Sequence, residues 1–102
     1  MNNATRQHVL ESAVKKYGSN QITKSIEEMA ELTFALCKRN SVRETDEESE
    51  KKKQQLNDNI CEEIADVQIM MEQLAIMVGK GKVEEWREYK LQRLQKLISE
   101  EE

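Results

Sequence analysis

The 102-residue chain has no proline and only three glycines. An all-β fold, which needs frequent turn residues, is disfavoured, and helices are favoured. Cysteine is scarce. Cys37 and Cys61 form no Cys-x-x-Cys spacing, so a zinc site or disulfide scaffold is not expected, and both read as small core residues. The one histidine, His8, is remote from the acidic motifs described below. That excludes the Glu-x-x-His pairs of di-iron bundles and leaves no Ser or Cys nucleophile with a signalled base. No apolar run approaches the ~18 residues of a membrane span, and the first residues lack the apolar stretch of a signal peptide. The default expectation is a cytoplasmic protein. A net charge of −4 gives no support for a nucleic-acid backbone binder. Gly79-Lys80-Gly81 lacks Walker spacing and a preceding strand, so no Gly-rich phosphate loop is present. The apolar fraction, 37%, is below the usual ~45–50% and implies a thin core, for which association with further copies is the natural remedy.

What remains is charge, at 35% of residues, set into helical patterns. The spacing predicts a single all-α domain, residues 1–102, as a four-helix bundle. A first helix over residues 4–17 shows Leu10, Ala13, Val14 and Tyr17 on one face and stops at Gly18. Ser19 or Asn20 caps a second, from about Gln21 to Arg39, with Ile22, Ile26, Met29, Thr33 and Leu36 as its core stripe and Asn40 as a left-handed stop. Residues 41–55 are a charged connection or helix extension, with Thr45 to Glu48 matching a capping box. The third helix then runs to Val78, frayed in its first turns or broken near Asn57-Asp58-Asn59. Its apolar residues (Leu56, Ile60, Ile64, Val67, Met71, Leu74 and Val78) make it the central helix. Gly79-Lys80-Gly81 is read as a tight turn. The fourth helix, from about Val83, turns Val83, Trp86, Leu94, Leu97 and Ile98 inward.

Two acidic motifs interrupt these patterns: Glu27-Glu28-Met29-Ala30-Glu31 on the second helix and Glu62-Glu63-Ile64-Ala65-Asp66 on the third. Each places two carboxylates three residues apart, on one side of its helix: Glu28 with Glu31, and Glu63 with Asp66. An isolated acidic helix face is most often simply solvated. Here the pattern recurs on consecutive helices, and Glu63 and Asp66 share an angular sector with Met70 and Met77. Two such helices side by side gather four mutually repelling carboxylates, an oxygen-rich set suited to Mg²⁺ or Mn²⁺. On the fourth helix, Lys90 and Arg93 fall in or beside the apolar sector. They either snorkel over the core or meet a phosphate or one of the acids.

In these motifs the sequence resembles the MazG-like all-α nucleoside triphosphate pyrophosphohydrolase superfamily, whose hallmark is Glu-Glu-x-x-Glu on one helix and Glu-x-x-Asp on the next. The resemblance extends to Tyr17-Gly18 before Gln21 and to Ile26 and Leu32, and covers roughly residues 7–97. It implies a Mg²⁺-dependent enzyme that cleaves the α–β bond of an NTP or dNTP, giving a nucleoside monophosphate and pyrophosphate. It implies Glu28, Glu31, Glu63 and Asp66 as metal ligands, and Glu27 or Glu62 as the group that orients water or supports the ligands. It also implies Lys90 and Arg93 as phosphate contacts and a homodimer or homotetramer with the site bordered by a neighbouring chain. Gln21 is a candidate polar substrate contact. Segment 41–55 makes the interval between the motifs longer than is usual in the family, lengthening two helices or forming a flap. Only Tyr17, Phe34, Trp86 and Tyr89 are available to stack on a base. The alternatives are a phosphoribosyl-ATP pyrophosphohydrolase of the same fold, a metal-binding bundle without turnover, and a non-catalytic helical interaction protein.

Overall fold

A computed structural model describes residues 1–42 and 47–101, which form four α-helices and no strand. The capping box expected at Thr45 to Glu48 lies outside the described residues.

Helix α1 spans Asn3–Tyr17. Asn2 caps it, its Oδ1 accepting the Thr5 N–H at 2.8 Å. Gly18 ends it at φ +52°, a conformation that L side chains rarely adopt, and its N–H donates to the Val14 carbonyl at 2.9 Å. Helix α2, Asn20–Asn40, follows after Ser19, which makes no side-chain capping bond. Asn40 is helical and is not a left-handed stop. Ser41, also right-handed, closes the helix by donating its N–H to Cys37 and Lys38 carbonyls and its Oγ–H to the Lys38 carbonyl at 2.8 Å. Those bonds satisfy terminal carbonyls without a left-handed residue.

Helix α3 runs from Glu47 to Val78 without interruption. Its 32 residues span ~48 Å. No break occurs at Asn57-Asp58-Asn59. The Asn57 side chain, which in isolation would compete for nearby backbone groups, instead accepts a bond from Arg39 Nε at 2.9 Å. The charged first turns are helical too, with Lys53 buried and paired to Glu50 at 3.0 Å. The expected three-residue turn contracts to one residue. Gly79 alone is non-helical, at φ +136°, and α4 (Lys80–Glu101) begins at once, with Gly81 inside it. The Val83 N–H reaches back to the Gly79 carbonyl at 3.1 Å, which lets the new helix start without a longer loop.

Helix α3 is central: α1, α2 and α4 all pack on it, α2 most extensively. Which faces are packed departs from expectation. In α2 the face against α3 contains Gln21, Ser25 and Ala35, with Glu28 and Leu32 half-buried. Ala35 is the buried apolar side chain among the described residues. The stripe expected to form the core, Ile22, Ile26, Met29, Thr33 and Leu36, is exposed, with Ile26 at 59%. It lies about 100° round the helix from the packed face, so one chain's α3 cannot cover both. Cys37 and Cys61 are exposed and are not core residues. Helix α4 packs on α3 and not on α2, and its supposed inner face is likewise exposed, Trp86 at 57%. Near its start, Lys80 Nζ donates to Gln7 Oε1 of α1 at 3.2 Å.

Candidate metal centre

The α2–α3 pair is antiparallel, and two side-chain bridges pin its register. At one end Gln21 Nε2 donates to Gln73 Oε1 at 2.5 Å, and at the other Arg39 Nε donates to Asn57 Oδ1. The first bridge is dry: Gln21 is 0% exposed and Gln73 is buried. Gln73 Nε2 in turn donates to the Ile69 carbonyl at 3.3 Å and approaches Met70 Sδ at 3.8 Å. Ser25, one turn on from Gln21, donates its Oγ–H to the Gln21 carbonyl at 2.8 Å.

Residues 28–31 of α2 lie midway between the two bridges, and so do residues 63–66 of α3. The register therefore sets the acidic motifs face to face. Glu28, Glu31 and Glu63 each offer a carboxylate oxygen within 4.8 Å of the others. Glu28 and Glu63 are half-buried and Glu31 is exposed, so the trio opens at one side. Asp66 is half-buried one turn from Glu63, close enough to act electrostatically on both Glu28 and Glu63, although it is not one of the trio.

Gathering the acids shifts two of their carboxyls. The Glu28 carboxyl is raised above its ordinary value, first by desolvation, then by the Glu31 and Asp66 charges, with Glu31 also in hydrogen-bonding reach. The Glu63 carboxyl is raised in the same way, by desolvation, then by Glu31 and Asp66, and further by Glu62. Each is pushed toward holding a proton, and among the described residues no positive group pairs with either. Oε2 of Glu28 and Oε2 of Glu63 are buried with no hydrogen-bond partner. Two orphaned carboxylate oxygens beside a third carboxylate form a donor set that fits a hard divalent cation, Mg²⁺ or Mn²⁺, which takes oxygen ligands.

The other residues singled out from the sequence are distributed differently. Glu27 and Glu62 are exposed beside the trio. Gln21 is buried between α2 and α3, where its Nε2 donates to Gln73 and its Oε1 is left without a hydrogen-bond partner. Lys90 and Arg93 are exposed on α4, form no ion pair among the described residues, and sit on a helix that does not pack against α2. The chain's own α4 therefore does not bring them to the acids. A groove of about 440 Å³ where α1, α3 and α4 meet, lined by Arg6, Leu10, Glu72 and Lys80 among others, contains none of Glu28, Glu31, Glu63 and Asp66. Gln73 is the residue that the sequence pattern left unnoticed. Its signal was a polar side chain seven residues beyond Asp66, on the same sector of a helix otherwise apolar there.

Comparisons with known proteins return nothing: no family model matches the chain, and no curated protein and no solved structure matches it significantly.

Proposed function

We propose that this chain is a Mg²⁺-dependent nucleotide pyrophosphohydrolase of the MazG-like kind, cytoplasmic and working as a homodimer or homotetramer. It would cleave the α–β bond of an NTP or dNTP to a nucleoside monophosphate and pyrophosphate. The observation that supports this best is the convergence of Glu28, Glu31 and Glu63 within 4.8 Å, with Asp66 adjacent and two buried oxygens unpartnered. Glu28, Glu31, Glu63 and Asp66 are the residues that would hold the cation. When bound, it supplies charge neutralisation for the phosphates and acidifies water. Glu27 and Glu62, exposed beside the trio, would orient a water or take its proton. Lys90 and Arg93 would contact the phosphates if a neighbouring chain brought them to the acids.

The test is pyrophosphate release from a panel of NTPs and dNTPs with Mg²⁺. The expected result is turnover of at least one nucleotide, abolished by chelator and by Glu63→Gln. Folded, Mg²⁺-binding protein that releases pyrophosphate from no nucleotide overturns the proposal. The exposed apolar faces of α2 and α4 favour a second function, a non-catalytic helical interaction protein. Absence of turnover together with stable capture of a partner protein would establish it.

A further inference from the structure

Glu31 is the exposed member of the trio and marks its open side. Lys24 lies seven residues before it on α2, and Lys38 seven residues after it. A straight helix drifts only ~20° per seven residues, so the three side chains share one sector. Lys24 and Lys38 thus flank the mouth of the trio, each ~10.5 Å from Glu31 along the axis. Both are exposed.

Each of the two ammoniums rests on an aromatic ring. Lys24 Nζ stands 5.2 Å from the centroid of Tyr17, which Lys16 Nζ also approaches, at 5.5 Å. Only Gly18 and Ser19 separate Tyr17 from α2, and this short joint sets the ring beside the first turns of α2. Lys38 Nζ stands 4.4 Å from the centroid of Phe34, one turn back on the same helix. The face of a ring attracts an ammonium but supplies no counter-charge. Neither Lys24 nor Lys38 forms an ion pair among the described residues. Lys24 has acids within reach of one, since Glu27 and Glu28 lie three and four residues on, where side chains are neighbours on a helix. The Glu28 carboxylate is gathered with Glu31 and Glu63 instead, and its Oε2 is buried without a partner. Along one sector α2 therefore presents an uncompensated ammonium, a carboxylate set short of a cation, and a second uncompensated ammonium.

We propose that Lys24 and Lys38 are the chain's own phosphate contacts and bracket the metal centre. A linear polyphosphate lies along α2, its middle on the cation held by the trio and one lysine on each flank. This rests on the reading of the trio as a cation site for a nucleotide's phosphates. The two lysines start ~21 Å apart along the axis, so a single phosphate cannot meet both, whereas linked phosphates with both stems leaning inward can. Each ammonium swings on its flexible stem from ring to phosphate and donates its N–H groups there. Tyr17 and Phe34 are positioning residues: they hold the ammoniums off the acids and so leave the acids open to the cation.

Calorimetric titration of the full chain with inorganic tripolyphosphate at saturating Mg²⁺ tests this. Lys24→Ala and Lys38→Ala should each weaken binding by roughly ten- to a hundredfold, the worth of a charged hydrogen bond. Lys24→Arg and Lys38→Arg should keep most of the affinity, which shows that charge and not packing is read. Mn²⁺ titrated alone should bind both alanine variants no more weakly than the unmodified chain, since a nearby positive charge has been removed. Protein that binds no tripolyphosphate at saturating Mg²⁺ overturns the proposal, and so does unchanged affinity in either folded alanine variant. Nucleotide turnover that the double alanine variant leaves intact overturns the bracket while the enzymatic reading stands. Tripolyphosphate held through both lysines by a protein that turns over no nucleotide supports the bracket and overturns the enzymatic reading.

Discussion

Gln21 and Gln73, 52 residues apart in sequence, share a hydrogen bond sealed from water between α2 and α3. Truncating one partner strands a buried amide, at a cost of about 1–3 kcal/mol, whereas replacing both with apolar groups of similar shape is nearly neutral. Gln73→Met and Gln21→Met should each lower stability by that amount, and the double variant should recover most of it. Urea unfolding at fixed protein concentration reads the cycle. Equal, additive losses would mean that the bond couples nothing.

Divalent cation should stabilise the folded chain. Only the folded chain gathers the trio, so Mg²⁺ or Mn²⁺ at one hundred times its dissociation constant adds about 2.7 kcal/mol. Thermal melts with and without metal measure this. Glu28→Gln, Glu31→Gln and Glu63→Gln should each reduce the metal-induced rise in Tm.

In chelator-treated protein, pH acts in the opposite sense from the usual carboxylate case. Glu28 and Glu63 are raised from 4.5 in the folded state. A raised carboxyl binds protons more tightly folded than unfolded. Its stabilising contribution is therefore complete below 4.5 and is lost as pH rises through the raised folded value. Metal-free protein should gain stability from this pair as pH falls from neutral toward 4.5. Glu28→Gln with Glu63→Gln should flatten that gain and raise the metal-free Tm at neutral pH. Metal affinity runs the other way, weakening with acid, because the ligands must be deprotonated.

Lys90→Ala separates snorkelling from phosphate contact. Lys90 is exposed on α4, and alanine is the better helix former, so stability should change by no more than about 0.5 kcal/mol. Loss of a charged hydrogen bond to phosphate is worth about 1.5–3 kcal/mol, roughly ten- to a hundredfold in kcat/KM. Unfolding of the variant with no change in the specific activity of its folded fraction would mean that the lysine serves packing.

Gly79→Ala tests the one-residue joint. An added Cβ would meet Lys82 Cβ at 3.8 Å, an ordinary contact, so the penalty comes from φ +136° alone. About 1–3 kcal/mol of lost stability is expected by urea unfolding. A neutral substitution would mean that the joint relaxes and α4 changes its angle.

Much of this architecture was legible from residue patterns. Gly18 ended α1 as its flexibility requires, and the spacing of Glu28, Glu31, Glu63 and Asp66 placed them on facing sides of two helices. The direction of burial was not legible. Ile22, Ile26 and Met29 announce an apolar face, but a periodicity of 3.6 carries no label saying whose side chains will cover it. The face that packs in this chain carries Gln21, Ser25 and Glu28 and looked like the outside. Gly81 read as turn-forming because composition cannot show that Gly79 completes the turn unaided. The position of Lys90 and Arg93 relative to the acids depends on where α4 lies, which no spacing within α4 encodes.

The two register bridges also set an order of events. Arg39 and Asn57 are 18 positions apart in sequence, Gln21 and Gln73 are 52 apart, and loop closure favours the nearer pair. The α2–α3 hairpin therefore zips from the Arg39 end toward the Gln21 end and must draw Glu28 and Glu31 past Glu63 and Asp66 halfway along. The carboxylates that define the site are thus also the steepest step in its closing, and refolding should run faster in acid, or with a divalent cation present, than in metal-free neutral buffer.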